Sequence, residues 1–135
     1  PLLTAGAGID ISPLPDVDED PVAAWMMLAD RLAALLDDPT TAAAEFDHPH
    51  AGKHRLDDAI EMLILNDVAI HTWDLARATD GDEQLDAATV ERMLPGMEAM
   101  GDMLAASGHY APPVHLEPGA DAQSRLLAAT GRDPR

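Results

Sequence analysis

Cysteine is missing from this 135-residue chain, so disulfides, thiolate metal sites and cysteine nucleophiles are all excluded. Aromatic residues make up only 3%. A core must therefore be assembled from Leu, Ala, Met and Ile, a composition that favours packed helices over sheets. Basic residues are also few: 8 stand against 25 acidic ones, for a formal net charge of −17, and Lys53 is the sole lysine. A surface this acidic, without a basic patch, repels phosphate backbones and anionic membranes, so neither nucleic acid nor a membrane is an expected partner. No apolar run approaches the roughly 18 residues of a spanning helix, and the first residues lack the pattern of an export signal, which leaves a cytoplasmic protein as the expectation. What remains is ordinary for a globular chain, 47% hydrophobic and 24% charged. Its length suits one domain that buries about two-thirds of its unfolded surface.

Residues 1–19 are rich in Gly, Pro and Asp, show no sustained period and contain Pro13 and Pro15. They read as an extended arm or linker ahead of a helical bundle domain over 20–135. Asp20-Pro21 supplies a helix cap followed by proline at the first helical position. Val22, Trp25, Met26, Leu28, Ala29, Leu32, Leu35 and Leu36 follow at helical spacing until Asp38-Pro39 ends the run. Residues 39–54 are a connection containing His48, Pro49, His50, Gly52 and His54. A second helix is expected from about Leu56 to Ala78. At 100° per residue, Leu56, Ile60, Leu63, Ile64, Asp67, His71, Asp74, Leu75 and Ala78 fall along one line of it, and the helix is apolar nearly all round, as a buried central helix would be. Asp86 caps a third helix with Val90, Met93, Leu94, Met97, Met100 and Leu104 at three- and four-residue steps, which Pro95-Gly96 should kink or split. Met103 joins Met93, Met97 and Met100 as expected core filling. Gly108 is the stop, Ala111–Val114 is extended, and a short helix over about Ala122–Thr130 closes at Gly131. The fold class that follows is all-α.

The chemistry to weigh lies on the second helix. Asp67 and His71 are one turn apart on its most inward stripe, where a carboxylate is costly unless paired or metal-bound. An Asp-x-x-x-His pair can offer one oxygen and one nitrogen to a divalent ion, and a catalytic zinc site would then need a third protein ligand. The alternative is a polar pair satisfied within itself or by an arginine such as Arg31 or Arg77. His48, His50 and His54 form a histidine-rich tract from which a third ligand could fold back, although Pro49 and Gly52 make its backbone irregular. Asp80, Asp82, Gln84 and Glu91 have the spacing of a calcium loop, but Leu85 occupies the position that must turn sharply, which excludes calcium. Gly6 and Gly8 lack the strand and third glycine of a dinucleotide fingerprint. Ser12, Ser107 and Ser124 have no base pattern beside them.

Two stretches carry a resemblance. NDVAIHTWDLARATDGDEQLD over 66–86 and AQSRLLAATGRDP over 122–134, with APPV between them, resemble the mycothiol-dependent maleylpyruvate isomerase-like branch of the DinB superfamily, actinobacterial proteins with a four-helix-bundle fold. The match covers roughly 56–135 and is most specific in HTWDLARAT and RLLAATGRDP. WMMLADRLAALLDDP over 25–39 is compatible with it. The resemblance implies a divalent metal, zinc or nickel, with Asp67 and His71 as two of its three ligands and Trp73 and Asp74 supporting them. It also implies activation of a low-molecular-weight thiol such as mycothiol for transfer or isomerisation. In the family the remaining ligand is a His on an additional N-terminal segment of about two helices, to which residues 1–19 do not correspond. The expectation is therefore a bundle incomplete at its N-terminus: either a fragment, or a shortened relative that self-associates as a dimer to cover exposed apolar surface. The rival expectation is a non-catalytic helical protein for dimerisation or small-ligand binding that has lost the metal site.

Overall fold

The computed structural model describes every residue except His50, Ser107 and His109. The chain is 59% helix and 6% strand, so the expected all-α class holds apart from one short ribbon. It divides into two compact units, Pro1–Leu65 and Asn66–Arg135.

The first unit opens with a helix where an extended arm was expected. Helix α1 spans Leu2–Ala7 and ends on Gly8, whose φ of 66° lets the following amides turn back to the Leu3 and Thr4 carbonyls. The two prolines lie beyond it, so they do not bar it, and a turn and a half is too short to show a period. Gly6 is there for space: a Cβ on it would come within 2.2 Å of the Phe46 ring. Helix α2, Pro21–Asp37, starts as the sequence indicates, with the Asp20 carboxylate accepting the Ala23 amide at 2.9 Å and Pro21 at the first position. It stops at Asp38, which turns extended ahead of Pro39 and caps the short helix α3, Pro39–Ala42. The Arg31 guanidinium donates to the Ile11 carbonyl, tying the segment after α1 to α2.

The connection over 39–54 holds a second unforeseen element. Strands β1, Glu45–His48, and β2, Gly52–Arg55, pair antiparallel with Phe46 opposite His54 and His48 opposite Gly52. That register puts Phe46, His48 and His54 on one face and Glu45, Asp47, Lys53 and Arg55 on the other. Phe46 is wholly buried beside Leu3, Leu32, Leu56, Ala59 and Ile60. This one aromatic ring is what turns a polar, histidine-rich stretch into an ordered ribbon. Helix α4, Leu56–Ile60, leads into a π-helical turn, Glu61–Leu65.

In the second unit, helix α5 spans Asn66–Ala78, so helical residues follow without a break from Leu56 to Ala78, as expected. Helix α6, Ala87–Ala106, begins at the Asp86 cap, which accepts the Thr89 amide at 2.9 Å, and runs through Pro95 without splitting. Helix α7, Ala122–Ala129, is capped by Asp121. Their core is Ile70, Trp73, Val90, Met93, Leu94, Met97, Leu126, Leu127 and Ala129. Met103 is 70% exposed; it lies off the stripe of Val90, Met93 and Met97, and its expected core role is withdrawn. Gly131, at φ 79°, ends the last helix where a Cβ would lie 2.5 Å from the Ala111 carbonyl oxygen. Among the described residues no helix is long and apolar enough to cross a membrane.

Candidate metal centre

Helix α5 buries Ile70 and Trp73 and turns Asp67, His71 and Leu75 outward. The side chains of Asp67 and His71 are 57% and 61% exposed, which corrects the expected inward stripe. The 100° line assumed one regular helix against one core. The helical residues instead serve two cores, α4 the first and α5 the second, and the π-turn between them breaks the 100° phase. The cost of an unpaired buried carboxylate therefore does not arise at Asp67.

The expected juxtaposition of the two residues is present. His71 Nε2 lies 3.5 Å from Asp67 Oδ1, too long for a hydrogen bond. An ion about 2.1 Å from both atoms would subtend roughly 113° between them, close to the tetrahedral angle of zinc sites. On the other side of the ring, His71 Nδ1 lies 2.9 Å from Asp74 Oδ2. Asp74 is gripped in turn by Arg132, whose Nε and Nη2 donate to its two oxygens at 2.7 and 2.6 Å. The Arg132 hydrogen bonds, reinforced by its charge and by His71, hold the Asp74 carboxyl below the usual range, against the opposing effect of burial. Asp67, His71, Tyr110 and Arg132 line an open hollow of about 380 Å³.

Neither arginine considered from the sequence plays the expected part. Arg31 is committed to Ile11. Arg77 stacks 4.6 Å from the Trp73 ring centroid and pairs with both oxygens of Glu83. Arg132 was not anticipated, since an ion pair between positions 58 apart leaves no trace in local spacing. Its only sequence signal is its place after Gly131, where the chain leaves α7. HTWDLARAT and RLLAATGRDP thus meet physically, through Asp74 and Arg132.

The candidate third ligands have contacts of their own. His48 stacks on Phe46, with centroids 6.1 Å apart, and His54 Nε2 is 2.7 Å from the Ala51 carbonyl oxygen. Both belong to the first compact unit, and His50 is outside the described residues. Among the described residues no group of three His, Asp or Glu side chains is placed to hold one ion. The excluded calcium spacing has a structural explanation: Asp82 accepts the Gln84 amide, and Asp86 is a helix cap.

No family profile, characterised protein or solved structure matches the chain.

Proposed function

We propose that α5 carries part of a DinB-like metal site, in which Asp67 and His71 are two ligands of a zinc or nickel ion and the third comes from beyond the described cluster. The observation that carries this reading is the 3.5 Å separation of Asp67 Oδ1 and His71 Nε2 on an open surface, a spacing suited to two ligands of one ion. The bound metal would lower the pKa of a small thiol such as mycothiol, in a thiol-dependent transfer or isomerisation. This chain's residues would hold the ion and leave the hollow beside Tyr110 open to a small molecule. The DinB-like four-helix bundle is part of the same proposal, supported by the helical class and by the joining of the two signature stretches through Asp74 and Arg132.

The proposed partner is a second copy. Val22, Trp25 and Met26 are 67%, 54% and 60% exposed on the outer face of α2, and residues 21–29 carry no charge to oppose a like-charged copy. These three side chains offer roughly 350 Å² per copy, a centre that neighbouring residues would have to extend for a two-fold pair to reach about 1,000 Å², the lower bound for a specific interface.

The deciding experiment is elemental analysis of protein purified without chelators or added metal, followed by zinc and nickel titration of the wild type and His71→Ala. The reading expects bound metal in the wild type, lost on His71→Ala. Failure of both metals to bind the wild type would defeat it. One observation favours a non-catalytic reading instead: no third ligand stands among the described residues, and Asp74–Arg132 already acts as a structural clamp between α5 and the turn after α7. On that reading His71→Ala changes neither metal content nor zinc-dependent melting.

A further inference from the structure

We infer that Asp74, held by Arg132, is a positioning residue that locks His71 in the tautomer with its proton on Nδ1, leaving Nε2 and Asp67 Oδ1 as two neighbouring acceptors that together receive a cation. The inference rests on the metal-site reading for its use, but the lock itself follows from hydrogen-bond chemistry. Both Asp74 oxygens take guanidinium protons from Arg132, so the carboxylate is ionised and can only accept. His71 Nδ1, 2.9 Å from Asp74 Oδ2, must then be the donor. A neutral imidazole has one ring proton, so Nε2 keeps its lone pair. Asp67 Oδ1 is 3.5 Å from that nitrogen. Two acceptors at that separation repel until a positive charge enters between them, and the geometry that makes the site uncomfortable when empty makes it receptive to an ion.

The clamp is better fixed than the groups it serves. Arg132 is 18% exposed and Asp74 35%, against 61% for His71. The Arg132 amide bonds the Leu127 carbonyl at 2.9 Å, and its Nη1 donates to the Thr130 carbonyl at 3.2 Å. The turn after α7 therefore sets the guanidinium, the guanidinium sets Asp74, and Asp74 sets the ring. A ligating histidine that donates its other N–H to an anchored carboxylate has its orientation and basicity fixed in this way.

The test is 15N NMR of the histidine rings in the full chain, at a pH above the range in which the His71 shifts still move, with His71 assigned by its loss in His71→Gln. The expected result is a protonated-type shift at Nδ1 and a lone-pair-type shift at Nε2. In Asp74→Asn only one acceptor oxygen is left for Arg132 and Nδ1 to share, so the lock is weakened and the ring should become mixed between its two tautomers. Zinc affinity should fall by about 10- to 100-fold in that variant. A wild-type ring protonated on Nε2, or mixed between tautomers, would overturn the inference, and the wild-type spectrum alone decides this if Asp74→Asn does not fold. If the tautomer is as stated and neither zinc nor nickel binds the wild type, the lock stands and the functional reading fails.

Discussion

Replacing Gly131 by alanine tests how the turn after α7 is held. Two costs add at this position. An alanine at φ 79° sits in the left-handed region, at about 1–2 kcal/mol. Its Cβ would also fall 2.5 Å from the Ala111 carbonyl oxygen and 2.8 Å from its carbonyl carbon. Backbone cannot swing aside as a side-chain end can, so the clash is of the overpacking kind, about 1–3 kcal/mol. The sum, about 2–5 kcal/mol, is a large part of the stability of a small unit. Gly119 is the control: it has a positive φ of 93° in the same unit, but nothing lies within 4 Å of its Cβ position, so Gly119→Ala should carry only the first cost. Urea unfolding followed by far-UV circular dichroism and by the fluorescence of buried Trp73 would measure both. The His71 tautomer should also become mixed in Gly131→Ala, because Arg132 loses its seat. If Gly131→Ala costs no more than Gly119→Ala, the close approach to Ala111 is not a feature of the folded protein and the argument for Arg132 as an anchored residue falls with it.

Four further outcomes follow. In the first unit, Phe46→Ala should cost about 3–5 kcal/mol in urea melts because the ring is wholly buried, and Gly6→Ala should destabilise the same unit by forcing that ring to move; a neutral Gly6→Ala would contradict the notch. Asp121→Ala should cost about 1 kcal/mol at neutral pH as a lost cap. The Asp121 carboxyl is held below its ordinary value near 3.8 first by the Ser124 amide and then by the Ser124 hydroxyl, so its contribution is present above that value and lost as the pH falls through the folded pKa; the gap between wild type and variant should be constant above about pH 5 and close only below about pH 4. Finally, sedimentation velocity should show a concentration-dependent dimer that Trp25→Lys with Met26→Glu converts to monomer, and a wild type that stays monomeric at high concentration would remove α2 as the contact.

Where a boundary is made by neighbouring residues, the sequence reveals it. Asp20-Pro21 and Asp38-Pro39 bracket α2, Asp86 starts α6, and Gly131 ends the last helix, each through a bond or a dihedral spanning a few residues. The i, i+4 placement of Asp67 and His71 is of the same local kind. What could not be read depends on partners distant in sequence. Strand β1 exists because Phe46 finds α1 and Leu56, and Asp74 is tied down by Arg132 from 58 positions away. The facing of α5 also escaped, because periodicity gives the relative phase of residues on one regular helix and says nothing of which phase meets a core once a π-turn intervenes.

The β1–β2 ribbon has a consequence for solubility. A two-stranded sheet consists of nothing but edges, and each strand has a row of backbone donors and acceptors that another chain could extend. Here each strand is four residues long, and the face away from Phe46 is charged throughout, with Lys53 set between Glu45 and Asp47 at 3.5 and 3.2 Å. An incoming strand would have to strip water from those charges to pair. Converting Lys53 and Asp47 together to valine would leave the fold's core untouched, yet turn a solvated border into a template for assembly, with turbidity on storage as its first sign.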